Sequence, residues 1–234
     1  MSLLGKAVLV NWGGVVKSKE VDYNAWHSLE HMPERINISG FLRGCRAIEK
    51  NCNDINHKYF MMYEAIEKNV FESKEYLDRL NNPTEWTKSI LSNYLSPSRT
   101  ICDVFDSQSI GFGGYISTIR FLHKKIDDRF EIKKIKNHTR KILKYSGITG
   151  THVLLGDRKF GQVKTKEKKI RSSQGKDDQI ISLAILIEGI GFEFLQKATK
   201  KLKIDLNLIE SELIIINFYQ CQHIITKTDL NNKL

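Results

Sequence analysis

The chain is short of cysteine. Cys45, Cys52, Cys102 and Cys221 are scattered through 234 residues, with no C-x-x-C pair and no histidine partner at zinc-finger spacing. That pattern excludes a disulfide framework and a finger-type metal site, and it reads as reduced, partly buried thiols. Long apolar runs are missing as well. The longest, Ile180 to Ile187, carries Ser182 and stops at Glu188, well short of the roughly 20 residues a membrane helix needs. Ala7 to Val10, before Asn11 and Trp12, is too short for the apolar core of a signal peptide. The expectation is a soluble, cytoplasmic protein with no membrane partner. A net charge of +10 invites a search for nucleic-acid motifs, and none of the familiar ones is present. The excess is mostly Lys spread with Ile and Asn along the whole chain, so it reads as compositional bias, and no nucleic-acid partner is expected. With 41% apolar and 27% charged residues the composition is that of a globular protein, of a length for one large domain or two small ones.

What the sequence does have is chemistry concentrated in Tyr23 to Arg46, where His27, His31, Glu30, Glu34, Trp26 and Arg35 crowd one predicted helix ahead of Gly40-Phe41. At about 100° per residue, Ala25, Leu29, Met32 and Ile36 form a narrow apolar stripe, the expected core face. Trp26 and Glu30 then flank it on one side and His31 and Arg35 on the other, while His27 and Glu34 point away. Pro33 has no N–H to give the carbonyl of Leu29, so a kink is predicted near His31 to Pro33.

The rest of the chain sorts into two similar halves. Lys6 to Trp12 reads as a strand closed by Gly13-Gly14. Gly40 to Lys50 and His57 to Ile66 read as a hairpin around an Asn- and Asp-rich turn. Phe71 to Leu80 and Pro83 to Leu91 read as helices, and Ser98 to Phe105 as a strand. This βαββαβ order is the split βαβ arrangement, a four-stranded antiparallel sheet with helices on one face. From Gly113 the order starts again: strand Gly114 to His123, helix Ile126 to Tyr145, a strand-to-helix passage at Ile187 to Glu193, and a last strand from Leu213 to His223. Two α+β units are therefore expected, 1–108 carrying the candidate site and 109–234 as a degenerate repeat. The basic segment from Arg158 to Asp178 has no apolar periodicity and is expected to be a solvated, mobile hairpin loop, whose Lys164 to Arg171 stretch can be replaced by a short Gly-containing turn at a cost of about 1 kcal/mol.

Trp26, Glu30-His31, Pro33, Arg35, Gly40-Phe41, Tyr63-Glu64, Pro83-Thr84, Trp86-Thr87 and Arg99 together resemble the EthD-like group of the dimeric α/β-barrel superfamily. The likeness covers roughly residues 6 to 105, and beyond 113 it is one of element order only. His27 stands where relatives commonly carry an aromatic residue, and Ser39 where they carry Pro. The resemblance implies ferredoxin-like units whose sheets pair face to face into a barrel. With two units in one chain that pairing would be internal, and homodimerisation stays open. The superfamily includes cofactor-independent monooxygenases, isomerases, peroxidases and chlorite dismutases, and a fold does not choose among them.

The residues themselves leave several roles open. His27-Ser28-Leu29-Glu30-His31 spells H-x-x-E-H, an inverted zinc-peptidase spacing, but Pro33 and the absence of a third ligand count against a metal, and neither metal nor cofactor is expected. His31, with Glu30 or Glu34, suits general acid–base work, because imidazole titrates near neutral pH and a carboxylate can fix its tautomer. Trp12, Trp26 and Tyr63 would wall an apolar cavity, and Arg35 or Arg43 would hold a carboxylate or phenolate of a small organic ligand through a forked hydrogen bond. The plainer alternatives are a helix-capping His, core aromatics and surface ion pairs. The functional expectation is an oxygenase, isomerase or lyase working without cofactor on a small, partly apolar molecule. A non-catalytic ligand-binding barrel and an interaction module are the alternatives.

Overall fold

The computed structural model describes residues 3–50, 55–122, 129–172, 178–208 and 214–231. The first half runs β1 (Ala7–Val15), α1 (Glu20–Trp26), a wide helical turn (His27–His31), α2 (Met32–Asn37), β2 (Phe41–Glu49), β3 (Tyr59–Ala65), α3 (Lys74–Asn81), α4 (Glu85–Leu91) and β4 (Tyr94–Ser109). The second runs β5 (Tyr115–Phe121), α5 (Arg129–Ile142), β6 (Ile148–Gly156), α6 (Lys166–Arg171), β7 (Leu183–Gly189), α7 (Phe192–Asp205), β8 (Ile214–Thr226) and α8 (Lys227–Asn231). Cys52, the centre of the β2–β3 turn and the start of the helix expected from Ile126 lie outside the described residues.

The strands close one antiparallel barrel in the order β1-β3-β2-β8-β5-β7-β6-β4, with β4 returning to β1. Each half supplies a four-stranded sheet, joined to the other at two seams, β2–β8 and β4–β6. Helices cover only one face of each sheet, so the other faces need each other, and closure also leaves no strand edge unpaired. Alternation along the strands sorts the side chains. Val8, Cys45, Phe60, Cys102, Ile116, Leu154, Ala184 and Tyr219, one from each strand, meet in a single buried cluster inside the barrel. The opposite faces pack under the helices, with Leu9, Met61 and Tyr63 in the first half and Ile119, Ile185 and Ile187 in the second. Each such buried side chain contributes about 1.5–3 kcal/mol.

Two strands run further than the sequence suggests. β1 continues through Gly13-Gly14, because a Cβ at Gly14 would sit 1.7 Å from the carbonyl oxygen of Ile55 and one at Gly13 2.5 Å from the Tyr94 ring. These glycines allow close approach within a strand rather than ending it. β4 spans 16 residues, pairing with β1 through its first part and with β6 through its last.

The basic segment is not a solvated loop. Thr165 caps α6 by accepting the Lys168 amide hydrogen, Ile170 packs on the first core cluster, and Glu167 is 3% exposed. Its charges are divided by face: Lys164, Lys166 and Lys169 are exposed, while Glu167 and Arg171 pair inward with Arg35 and Asp178, both at 2.6 Å. Six residues of helix are too few to show an apolar period, which is why the segment reads as loop. Among the described residues no helix is long and apolar enough to cross a membrane.

Candidate functional site

Between the outer face of the first sheet and its helices lies a cavity of about 40 Å³, room for roughly three waters at ~10–15 Å³ each. β1 presents Asn11 to it, β3 Met61 and Tyr63, and β4 Tyr94 and Arg99. The Tyr23–Arg35 helix supplies Tyr23, Trp26, His27, His31 and Arg35, and α6 supplies Glu167 and Arg171. A smaller void of about 20 Å³ lies beyond, sharing Tyr76, Leu80, Arg99, Glu167 and Arg171 as walls.

The helix reaches the cavity through its wide turn. The Met32 amide donates to the carbonyl of His27, five residues back, and Pro33 has no amide hydrogen to continue the ladder. The expected kink is therefore spread over His27 to His31, upstream of the proline. The extra residue shifts the phase of the helix: Met32 and Ile36 stay in the core, but the stripe continues upstream as Tyr23, Trp26 and His27, and Leu29 is 73% exposed. His27 is buried rather than turned away, because the wheel assumed regular α-helical steps.

Of the residues singled out in the sequence, Trp26, His31, Arg35 and Tyr63 meet at this cavity. The His31 ring lies 4.4 Å from Trp26, 5.3 Å from His27 and 6.1 Å from Tyr63, centroid to centroid. Trp12 and Arg43 do not join them, because strand alternation turns both into the barrel. There Trp12 donates to Thr118 and stacks on Phe60, and Arg43 pairs with Glu64. Glu30 is held through one oxygen: its Oε1 accepts from Trp26 Nε1 (3.1 Å), Thr84 Oγ1 (2.6 Å) and Thr87 Oγ1 (3.0 Å), which fixes the indole against α4. Glu34 lies off the cavity, 3.3 Å from Arg79, with its pKa raised by burial. Asn11, Tyr94, Glu167 and Arg171 were not found by sequence reasoning. For Glu167 the available signal was Thr165 as a helix cap with an acidic residue in the following turn.

Burial sets the electrostatics. It pushes the His31 pKa well below the ordinary imidazole value, with Arg35, His27 and Arg171 adding to the effect, and it does the same to His27 with help from Arg46 and His223. Both rings are neutral at pH 7. The Nδ1 atoms of both are buried without a hydrogen-bond partner, and His27 Nε2 lies 3.4 Å from the Tyr63 hydroxyl. Tyr63 and Tyr94 are held protonated, their pKa values raised by burial. Burial opposes the charge on Arg35, and the Glu167 carboxylate more than offsets it. One guanidinium nitrogen, Nη1, remains buried with no partner. Among the described residues no three His, Cys, Asp or Glu side chains are grouped as metal ligands. The arrangement offers two neutral nitrogen bases, a phenol and an incompletely engaged guanidinium around one small space.

No family model matches the chain, and neither does any curated protein. Solved structures do. An anthrone oxidase-like protein superposes with a TM-score of 0.63 at 11% identity, over 97% of this chain and 95% of that one. A candidate monooxygenase from Lactobacillus acidophilus NCFM gives 0.58 at 7% identity, over 94% and 96%. Another, from Fusobacterium nucleatum subsp. nucleatum, gives 0.57 at 13% identity, over 96% of both chains. At such identities the likeness is one of fold, and it spans the whole chain. With its two ferredoxin-like sheets closed into one eight-stranded α+β barrel, the chain shares the fold of these proteins, both halves being carried by a single polypeptide.

Proposed function

We propose that the cavity under the Tyr23–Arg35 helix is the active site of a cofactor-independent oxygenase acting on a small, partly apolar molecule with an acidic C–H or O–H group. The observation that carries this reading is the meeting of two neutral imidazoles, His27 buried and His31 half-buried, each with a buried, unpartnered Nδ1 atom, and a buried guanidinium with an unpartnered Nη1 at one cavity. A neutral imidazole accepts a proton, and a guanidinium stabilises the anion left behind. In this scheme His31 takes the proton, Arg35 Nη1 holds the resulting oxyanion, Trp26 and Tyr63 wall the substrate, and Glu30 keeps Trp26 in place. The anion is electron-rich enough to react with dioxygen directly. Entry requires α6 to move, since the cavity of about 40 Å³ is far below the ~300–1,000 Å³ of an organic-ligand site, and lifting α6 would join the two voids.

The neighbour described as anthrone oxidase-like suggests a first substrate. Anthrone has an acidic methylene and a carbonyl that becomes an oxyanion on deprotonation, and with one dioxygen it yields anthraquinone and water. The test is oxygen uptake with anthrone, followed by the same assay on His31→Ala. A general base contributes about 10²–10⁴-fold, so the variant should lose at least two orders of magnitude in kcat while keeping its fold. Equal rates in the two proteins would remove His31 from the chemistry. Tight anthrone binding without turnover would favour the ligand-binding alternative.

A further inference from the structure

We propose that Cys45 and Cys221 are a redox site, closing a reversible disulfide across the β2–β8 seam between the two halves of the barrel when a peroxide reaches it. Their sulfurs lie 3.9 Å apart although the residues are 176 apart in sequence. Both are free thiols, Cys45 fully buried on β2 and Cys221 partly exposed on β8, and both belong to the packing inside the barrel. The seam has an irregularity at this point. Arg46 pairs with His223 but the next residue, Ala47, pairs with Cys221, leaving Gln222 as an extra residue on β8. A bulge of this kind re-aims a side chain, and here Cys221 faces the same interior as Cys45. Bringing the sulfurs to a bond of about 2.05 Å requires adjustment of two side chains on strands already hydrogen-bonded to each other.

The two thiols are unequal. A hydrogen bond from Cys45 favours the thiolate of Cys221, whereas that bond and burial hold the Cys45 thiol well above its ordinary pKa. Solvent also reaches Cys221 alone. Cys221 is therefore the attacking sulfur. Its thiolate forms an S–O bond as the peroxide O–O bond breaks, so the sulfur loses two electrons, hydroxide leaves, and a sulfenic acid remains. Cys45 then attacks that sulfur: the S–S bond forms, the S–O bond breaks, and the departing hydroxide takes the Cys45 proton as water. A dithiol reverses the bond by exchange.

The experiment is to treat the whole, folded protein with stoichiometric hydrogen peroxide, alkylate, digest without reductant and map the peptides by mass. The expected product is the Cys45–Cys221 peptide pair, lighter by two hydrogens, abolished by dithiothreitol and formed at least tenfold faster than any oxidation of Cys102. Cys102 lies in the same interior but has the Thr100 carbonyl, not a thiol, as its partner. In Cys221→Ser no linked pair should form and Cys45 should stay reduced. In Cys45→Ala, given a second equivalent of peroxide, Cys221 should pass to the sulfinic acid because nothing resolves the sulfenic acid. Should either variant fail to fold, mapping of the wild-type protein decides alone. Wild-type protein in which Cys221 gains oxygen while Cys45 remains a free thiol would overturn the proposal, and so would two unmodified thiols under conditions that oxidise a free cysteine peptide.

Discussion

Glu167→Gln removes one charge from the buried ion pair that holds α6 over the cavity and changes almost nothing in shape. The side chains of Arg35 and Glu167 are 3% and 5% exposed and 2.6 Å apart, so water screens them little. Breaking a buried pair from one side costs about 3–5 kcal/mol, because the remaining charge is left in a medium that does not solvate it. For a chain of 234 residues, at about 2–4 °C per kcal/mol, the melting temperature should fall by roughly 6–20 °C. Urea titration followed by both tryptophan fluorescence and circular dichroism gives the free energy directly. The double variant Arg35→Met/Glu167→Leu should recover most of the loss, since exchanging both partners for apolar groups leaves no stranded charge. A loss in Glu167→Gln below about 1 kcal/mol, the scale of an exposed pair, would refute the buried-pair account and return the segment to the solvated loop that its composition suggests.

Other consequences can be checked with the same protein. His27 is 2% exposed with its pKa pushed down by burial, so the unfolded chain binds a proton that the folded one refuses. Its contribution is complete above the unfolded pKa of about 6.5 and is lost as pH falls toward the folded value, with a slope of about 1.4 kcal/mol per pH unit. Urea titrations between about pH 6.5 and 5 should show a slope in the wild type steeper than that in His27→Gln by about this amount, with His31 and His223 contributing to both proteins. Asp106, Asp157 and Asp178 have lowered pKa values despite burial, through Arg140, Lys68 and Arg171 respectively. Their contribution is present above the unfolded value and disappears only below about pH 4, so the two windows separate. Glu30→Leu would take the acceptor from the hydroxyls of Thr84 and Thr87 while the Trp26 indole N–H keeps Thr87 Oγ1 at 3.0 Å, costing about 2–4 kcal/mol in a denaturant titration at roughly 1–3 kcal/mol for each hydroxyl that stays buried.

The barrel was legible in the sequence because period-2 alternation and the repeated element order report burial directly, as with Val8, Val10 and Trp12 turned inward between Leu9 and Asn11. The same alternation, applied strictly, would have put Trp12 and Tyr63 on opposite sides of the sheet. Trp12 and Tyr63 instead joined one aromatic wall by residue type alone. The site was legible where the helix carries it, in Trp26, His31 and Arg35. His27 was lost because a wheel at 100° per residue has no place for a wide turn, although Pro33 marks where the regular ladder must fail. Arg35 needed a counter-ion, and sequence proximity offered Glu30 and Glu34 on the same helix. The partner, Glu167, comes from a charged segment in the other half of the chain, 132 residues away, and no local pattern links the two.

The most direct test of the proposed site is long-range proton–nitrogen NMR of the imidazole side chains, recorded across pH and then with anthrone under anaerobic conditions. His27 and His31 should remain neutral well below about pH 6.5, and their Nδ1 resonances should be the ones that shift when anthrone is added. Ordinary titration of both rings near about pH 6.5, or a response confined to His138, His152 or His223, would contradict the account.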